Sequence, residues 1–123
     1  MGKVSTYFIA AFSAIGIAGC AAGMPTGFTD AGGGFGYRMG GVDCTEILEL
    51  ERVSCDGLIE VYSPANCNAL ELDVNARYSS GQLVKLIEFP SRVVSADSIS
   101  VYEPSAVMPE ATRFTIERLS CMG

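Results

Sequence analysis

Histidine and tryptophan are both missing from this chain of 123 residues. Without an imidazole, Ser-His-Asp and Cys-His nucleophilic catalysis, His-ligated zinc and imidazole acid/base chemistry are excluded in their usual forms. Positive charge is scarce as well: eight Lys and Arg stand against 14 Asp and Glu, and the basic residues nowhere cluster. A surface of this sign repels phosphate backbones, so nucleic-acid binding is disfavoured, as is adsorption to anionic lipid through a basic patch. The same field attracts a cationic protein partner. The densest apolar stretch, Tyr7 to Ala18, has 12 residues, short of the ~20 that cross a bilayer core as a helix. What remains is globular in composition, with 49% hydrophobic and 18% charged residues. The length allows one domain of ordinary size.

The first twenty residues differ from the rest. Lys3 precedes the apolar stretch, which ends in small residues, the pattern of a signal peptide with its n-region and h-region. A buried core helix is the alternative, but such a helix shows a polar face and this stretch offers only Ser13. Its last four residues, Ile17-Ala18-Gly19-Cys20, resemble the lipobox of bacterial lipoproteins, in which an aliphatic residue and two small ones precede an acylated cysteine. The resemblance implies cleavage after residue 19, lipid on Cys20 and attachment to a membrane through that lipid. Each buried methylene of an acyl chain then contributes about 0.8 kcal/mol of anchoring. Ala21 is not the aspartate that in this family goes with inner-membrane retention, so the outer membrane, facing the periplasm, is the expected address. Removing Lys3 with the leader leaves seven basic residues against 14 acidic, a net side-chain charge of −7.

Cysteine usage agrees with export. Five is an odd number, but assigning Cys20 to lipid leaves Cys44, Cys55, Cys67 and Cys121, an even set for two disulfides. Their spacing does not resemble the paired C-x-x-C knuckles of a zinc site. No motif calls for a metal or another cofactor.

Residues 20–41 are rich in glycine and read as a flexible tether, with a root-mean-square reach of about 25 Å. Gly34 and Gly36 begin a G-x-G-x-x-G spacing, but its third position is Met39 and no strand precedes it, so a nucleotide loop is not expected. Phe35, Tyr37 and Met39 alternate with small or polar residues, a pattern that an added edge strand would also show. Residues 42–123 form the expected domain. Leu70, Leu72, Val74, Ala76 and Tyr78 alternate with Glu71, Asp73, Asn75 and Arg77, the period-two signature of a half-buried strand. Ser79-Ser80-Gly81 reads as a turn into a strand from Leu83 to Phe89. Shorter strands are expected at Leu58 to Tyr62, Ser98 to Tyr102 and Arg113 to Leu119, separated by prolines. Thr45 to Val53 reads as a strand by its neighbours, although Asp43 and Glu46 have capping-box spacing for a helix. The expected fold is all-β, a small antiparallel sandwich or barrel stapled by two disulfides.

The pairing follows from elimination. If Thr45 to Val53 is one unbroken element, it measures about 16 Å as a helix or about 36 Å as a strand, whereas bridged Cα atoms lie within about 7 Å. If Leu58 to Tyr62 turns directly into Ala69 to Tyr78, Cys55 and Cys67 are also far apart. Cys44 with Cys67 and Cys55 with Cys121 remain.

Asp43, Glu46, Glu49 and Glu51 form the densest acidic run, and paired carboxylates serve glycoside hydrolysis or calcium binding. No D-x-D-x-D-G loop accompanies it and Asp56-Gly57 stands alone, so a solvated face is the simpler reading. A hydrolase would need Glu46, Glu49 or Glu51 to meet Asp97 or Glu103 across a cleft.

Cys55-Asp56-Gly57, the Leu58 to Tyr62 strand, Ala76-Arg77-Tyr78-Ser79-Ser80-Gly81 and Cys121 together resemble the membrane-bound inhibitors of c-type lysozyme, small lipid-anchored periplasmic β-barrels with a comparable first-to-last disulfide. The similarity covers Cys55 to Cys121. Tyr78 and Gly81 match the tyrosine and glycine of that family's Ser-Gly-x-x-Tyr-x-x-Gly loop; Val74-Asn75 stand where the family has Ser-Gly, and Glu88 where it has lysine. The resemblance implies an inhibitor of a cationic enzyme. The broader expectation is a membrane-anchored envelope lipoprotein with a non-enzymatic binding or structural role, and a lipid-anchored hydrolase working through carboxylates is the contrasting class.

Overall fold

The computed structural model describes residues 23–122, so the leader and Cys20 lie outside the described residues. Eleven strands follow in order: β1 (Thr29–Gly32), β2 (Phe35–Met39), β3 (Asp43–Ile47), β4 (Arg52–Asp56), β5 (Ile59–Ser63), β6 (Cys67–Tyr78), β7 (Leu83–Glu88), β8 (Arg92–Val94), β9 (Ser98–Tyr102), β10 (Ser105–Met108) and β11 (Thr112–Cys121). Every pairing among them is antiparallel. No described helix is long and apolar enough to cross a membrane.

The long strand β6 realises the alternation seen in the sequence. Leu70, Leu72, Val74 and Ala76 are fully buried on one side, each of the larger three contributing roughly 1.5–3 kcal/mol by leaving water. β11 pairs along one edge of β6, from Thr112 opposite Tyr78 to Cys121 opposite Leu70. Its other edge is shared end to end by β7 and β8, which Pro90 separates.

The second layer is a long ribbon whose backbone hydrogen bonds divide it into two sheets, β9-β5-β2-β1 and β10-β4-β3. The register shows their continuity. Tyr102 faces Ile59 in the first sheet and Ser105 faces Asp56 in the second, so no residue is gained or lost between them. The break falls where Pro104 has no N–H to donate. Its carbonyl still accepts from the Gly57 N–H at 2.9 Å, and the Leu58 carbonyl accepts from Gly40 at 2.7 Å. A Cβ on Gly57 would lie 2.7 Å from the Phe114 ring, so only glycine lets β11 pack this closely against the bend. Cys55, Ile59, Val61, Tyr102 and Ala106 from the bent layer join Leu70 to Ala76, Cys67 and Phe114 in one core. The Phe89 ring meets the Tyr102 ring edge-on at 5.1 Å across it.

Three sequence expectations are corrected. Thr45 to Val53 is neither one strand nor a helix: a 3₁₀ turn at Leu48–Leu50, ended by Glu51 in the left-handed region with φ 52°, folds the chain back on itself. Cys44 and Cys55 thereby become direct register partners and form a disulfide, with Cα atoms 4.0 Å apart. β5 does not turn into β6 as a hairpin, since the two strands belong to different layers. Cys67 therefore opens β6 beside the end of β11 and bridges Cys121, Cα atoms 5.9 Å apart. Cys44 with Cys67 and Cys55 with Cys121 are not formed, and the first-to-last bridge implied by the lysozyme-inhibitor resemblance is absent with them. Finally, the segment expected to be a tether is a folded hairpin from Thr29 to Met39, because β2 pairs residue for residue with β5, Gly36 opposite Tyr62 and Met39 opposite Ile59.

Candidate functional site

At the bend of the ribbon, the pairing that joins Cys44 to Cys55 also sets Asp43 directly opposite Asp56, while Ser105 faces Asp56 from the other side. With Glu103, these residues line an open depression of about 620 Å³ whose floor includes Gly41, Gly57 and Leu58. No Lys or Arg lines it. Like charges directly opposite on adjacent strands are unfavourable, and the notch holds three exposed carboxylates with no cation among its lining residues. Among the described residues no group of three or more metal-ligating side chains is arranged to hold a metal ion.

The other carboxylates named from the sequence are dispersed. Glu46 and Glu51 border a separate, shallower depression together with Arg52 and Pro109. Asp97 accepts a hydrogen bond from the Tyr62 hydroxyl at 2.7 Å. The meeting of Glu46, Glu49 or Glu51 with Asp97 or Glu103 that a two-carboxylate hydrolase requires is not made. Burial, followed by the Asp97 hydrogen bond and charge, pushes the Tyr62 phenol well above its ordinary value of 10.0. Burial also raises Tyr102, against the lowering effect of Arg92, whose guanidinium carbon lies 3.8 Å from the ring centroid.

The outer face of the bent layer joins residues that the sequence keeps far apart. Gly36, Tyr62 and Ile99 are register partners on three successive strands, as are Arg38, Glu60 and Val101, and cross-strand partners point to the same side. Met24 lies over Gly36, its Cε 2.8 Å from the point a Cβ would occupy. The Phe28 ring stands edge-on to Tyr62 with centroids 6.5 Å apart and lies under the Arg38 guanidinium at 4.9 Å. Arg38 is itself paired with Glu60. Ile99 and Val101 remain 45% exposed each.

Tyr78 and Gly81, the residues matched to the inhibitor loop, sit at the turn between β6 and β7, where the Gly81 N–H donates to the Tyr78 carbonyl at 2.8 Å. Cys20 lies outside the described residues. No family model matches the chain, no curated protein matches it, and no solved structure matches its fold.

Proposed function

We propose that this protein is a small lipid-anchored lipoprotein of the bacterial envelope, at the outer membrane facing the periplasm, with a non-enzymatic binding or structural role. The observation that carries the reading is the distribution of its cysteines. With Cys44, Cys55, Cys67 and Cys121 all bridged within the domain, Cys20 alone remains, and it closes Ile17-Ala18-Gly19-Cys20 behind the apolar stretch. Two disulfides support an oxidising compartment, since cytosolic thiols are kept reduced. Replacing Cys20 with Ser is expected to abolish fatty-acid labelling and to leave an unprocessed or soluble form; undiminished labelling of the variant would contradict the reading.

Within that role a cationic protein, a lysozyme-like enzyme among them, is the partner class supported by the net charge of −7 and by the notch of Asp43, Asp56 and Glu103. Calorimetric titration with a cationic enzyme is expected to show binding that weakens with salt and in Asp56→Asn. Binding unchanged by either would remove the notch from the account.

A further inference from the structure

The first residue of β11 meets both sulfurs of the Cys44–Cys55 bridge. Thr112 stands opposite Tyr78 of β6, but its N–H donates to Cys55 Sγ at 3.3 Å. Its carbonyl oxygen lies 3.8 Å from Cys44 Sγ. The two sulfurs therefore sit in opposite fields, because a donor stabilises negative charge on Cys55 whereas an oxygen opposes it on Cys44. Access is divided in the same way: Cys55 is fully buried, and Cys44 is exposed on β3, the edge of its sheet. We propose that Cys44–Cys55 is a thiol–disulfide exchange site, entered at the Cys44 sulfur by a dithiol reductant and opened with Cys55 as the leaving thiolate.

In the exchange, one thiolate of the reductant attacks Cys44 Sγ. A new S–S bond forms there, the Cys44–Cys55 bond breaks, and its electron pair stays on Cys55. The second thiolate then attacks the reductant's own sulfur in that mixed disulfide and releases Cys44. Cys44 takes up one of the two protons that the dithiol gives up, and the other passes to water. The reductant leaves as its internal disulfide, having supplied two electrons. Thr112 suits this product: a bridged Cys44 Sγ has no hydrogen to give the carbonyl it faces, and a thiol has one. The N–H on Cys55 lowers the basicity of the departing thiolate, which speeds its release. Asp43 and Asp56, next in sequence to the two cysteines, alternate to the other face of the strands and line the notch. With the bridge open, β4 is still paired on both sides and Cys67–Cys121 is still closed, so the site works within a folded domain.

The position of the first adduct tests this, in the full chain carrying Cys20→Ser so that only the four bridged cysteines react. The uncharged monothiol mercaptoethanol is added in limiting amount, the reaction is stopped in acid, and the peptides are mapped. The adduct is expected on Cys44, with Cys55 a free thiol, Cys67–Cys121 closed and the far-UV circular dichroism unchanged. An adduct on Cys55, equal adducts on both, earlier opening of Cys67–Cys121, or loss of the strand spectrum on opening would each overturn the proposal. Thr112→Pro removes the N–H at the first position of a strand, where proline is tolerated, and Thr112→Ala keeps it. Opening of the bridge is expected to be about tenfold slower in Thr112→Pro than in Thr112→Ala, as befits the loss of one charge-assisted hydrogen bond. Equal rates in the two folded variants would overturn the assignment of Cys55 as the favoured leaving sulfur, and if Thr112→Pro does not fold, the position of the adduct decides alone.

Discussion

The two layers share one core but finish their outer faces in opposite ways. Outside β6, polar side chains lock together across the strands. Arg118 reaches Glu71 at 2.8 Å and Asp73 at 3.0 Å, the Asn75 amide donates to Glu117 at 2.8 Å, and Arg77 donates to the Gly81 carbonyl and to Thr115. A register shift between Ile116 and Arg118 gives Glu117 the freedom to reach Asn75. Asp73 and Asn75 are buried within this network, while Leu83 and Leu86 on β7 stay half exposed beside it. The bent layer instead covers Gly36 and Tyr62 with the chain's own Met24 and Phe28 and leaves Ile99 and Val101 bare. The contrast is therefore in how each face is closed, by side chains paired across strands outside β6 and by a segment of the chain folded over Gly36 and Tyr62 outside β5.

The largest test of this comparison is the pair of disulfides, one per layer. Removing Cys67–Cys121, which spans 54 residues of sequence, by a double Ser substitution should cost about 4 kcal/mol in the chain-entropy model, against about 3 kcal/mol for Cys44–Cys55 with its span of 11. Denaturant unfolding of the two variants measures both, and a reversed order would show that the bent layer depends more on its staple. Next comes Gly57→Ala at the joint between the layers. The Phe114 ring has to give way to the new methyl, at a cost of about 1–3 kcal/mol; an unchanged midpoint would mean that β11 does not press on the bend.

The Tyr62–Asp97 contact sharpens the account of the bent layer's outer face. Because the folded-state pKa of Tyr62 is raised above its ordinary 10.0, the contribution is complete below pH 10 and is lost as the unfolded chain ionises above it. Thermal stability should therefore fall above pH 10, and less steeply in Tyr62→Phe; equal slopes would remove the contact from the balance. Smallest of all is Arg118→Ala on the opposite face. With half of its side chain exposed, its loss is expected to cost no more than about 1 kcal/mol and to be reduced by salt. A cost of several kcal/mol would mean that the polar face holds the layer together.

β6 falls where the period of two puts it, because burial of one face imposes that period, and β5, β7, β9 and β11 fall close to where the turn and proline signals between apolar runs place them. The turn at Leu48–Leu50 was hidden, since it contains no Gly, Pro, Asn or Asp and rests on Glu51 adopting a positive φ. That one unmarked turn conceals the partners of both cysteine pairs. Residues 20–41 are deceptive for the converse reason. Glycine predicts a flexible chain when nothing packs on it, yet Gly36 is buried because Met24 needs the space its side chain would fill. The alternation of Phe35, Tyr37 and Met39 was the available signal of a strand. The notch joins Asp43 and Glu103, 60 positions apart, and only the register of the bent ribbon could bring them together.

The central claim is that residues 24–39 are part of the folded domain and not a tether. Hydrogen exchange of the protein tests it most directly. The amides of Phe35–Met39 that pair with β5 should be protected alongside those of Ile59–Ser63, with the edge strand Thr29–Gly32 exchanging sooner. Exchange of residues 24–39 at the rate of an unstructured chain, with β5 still protected, would contradict it.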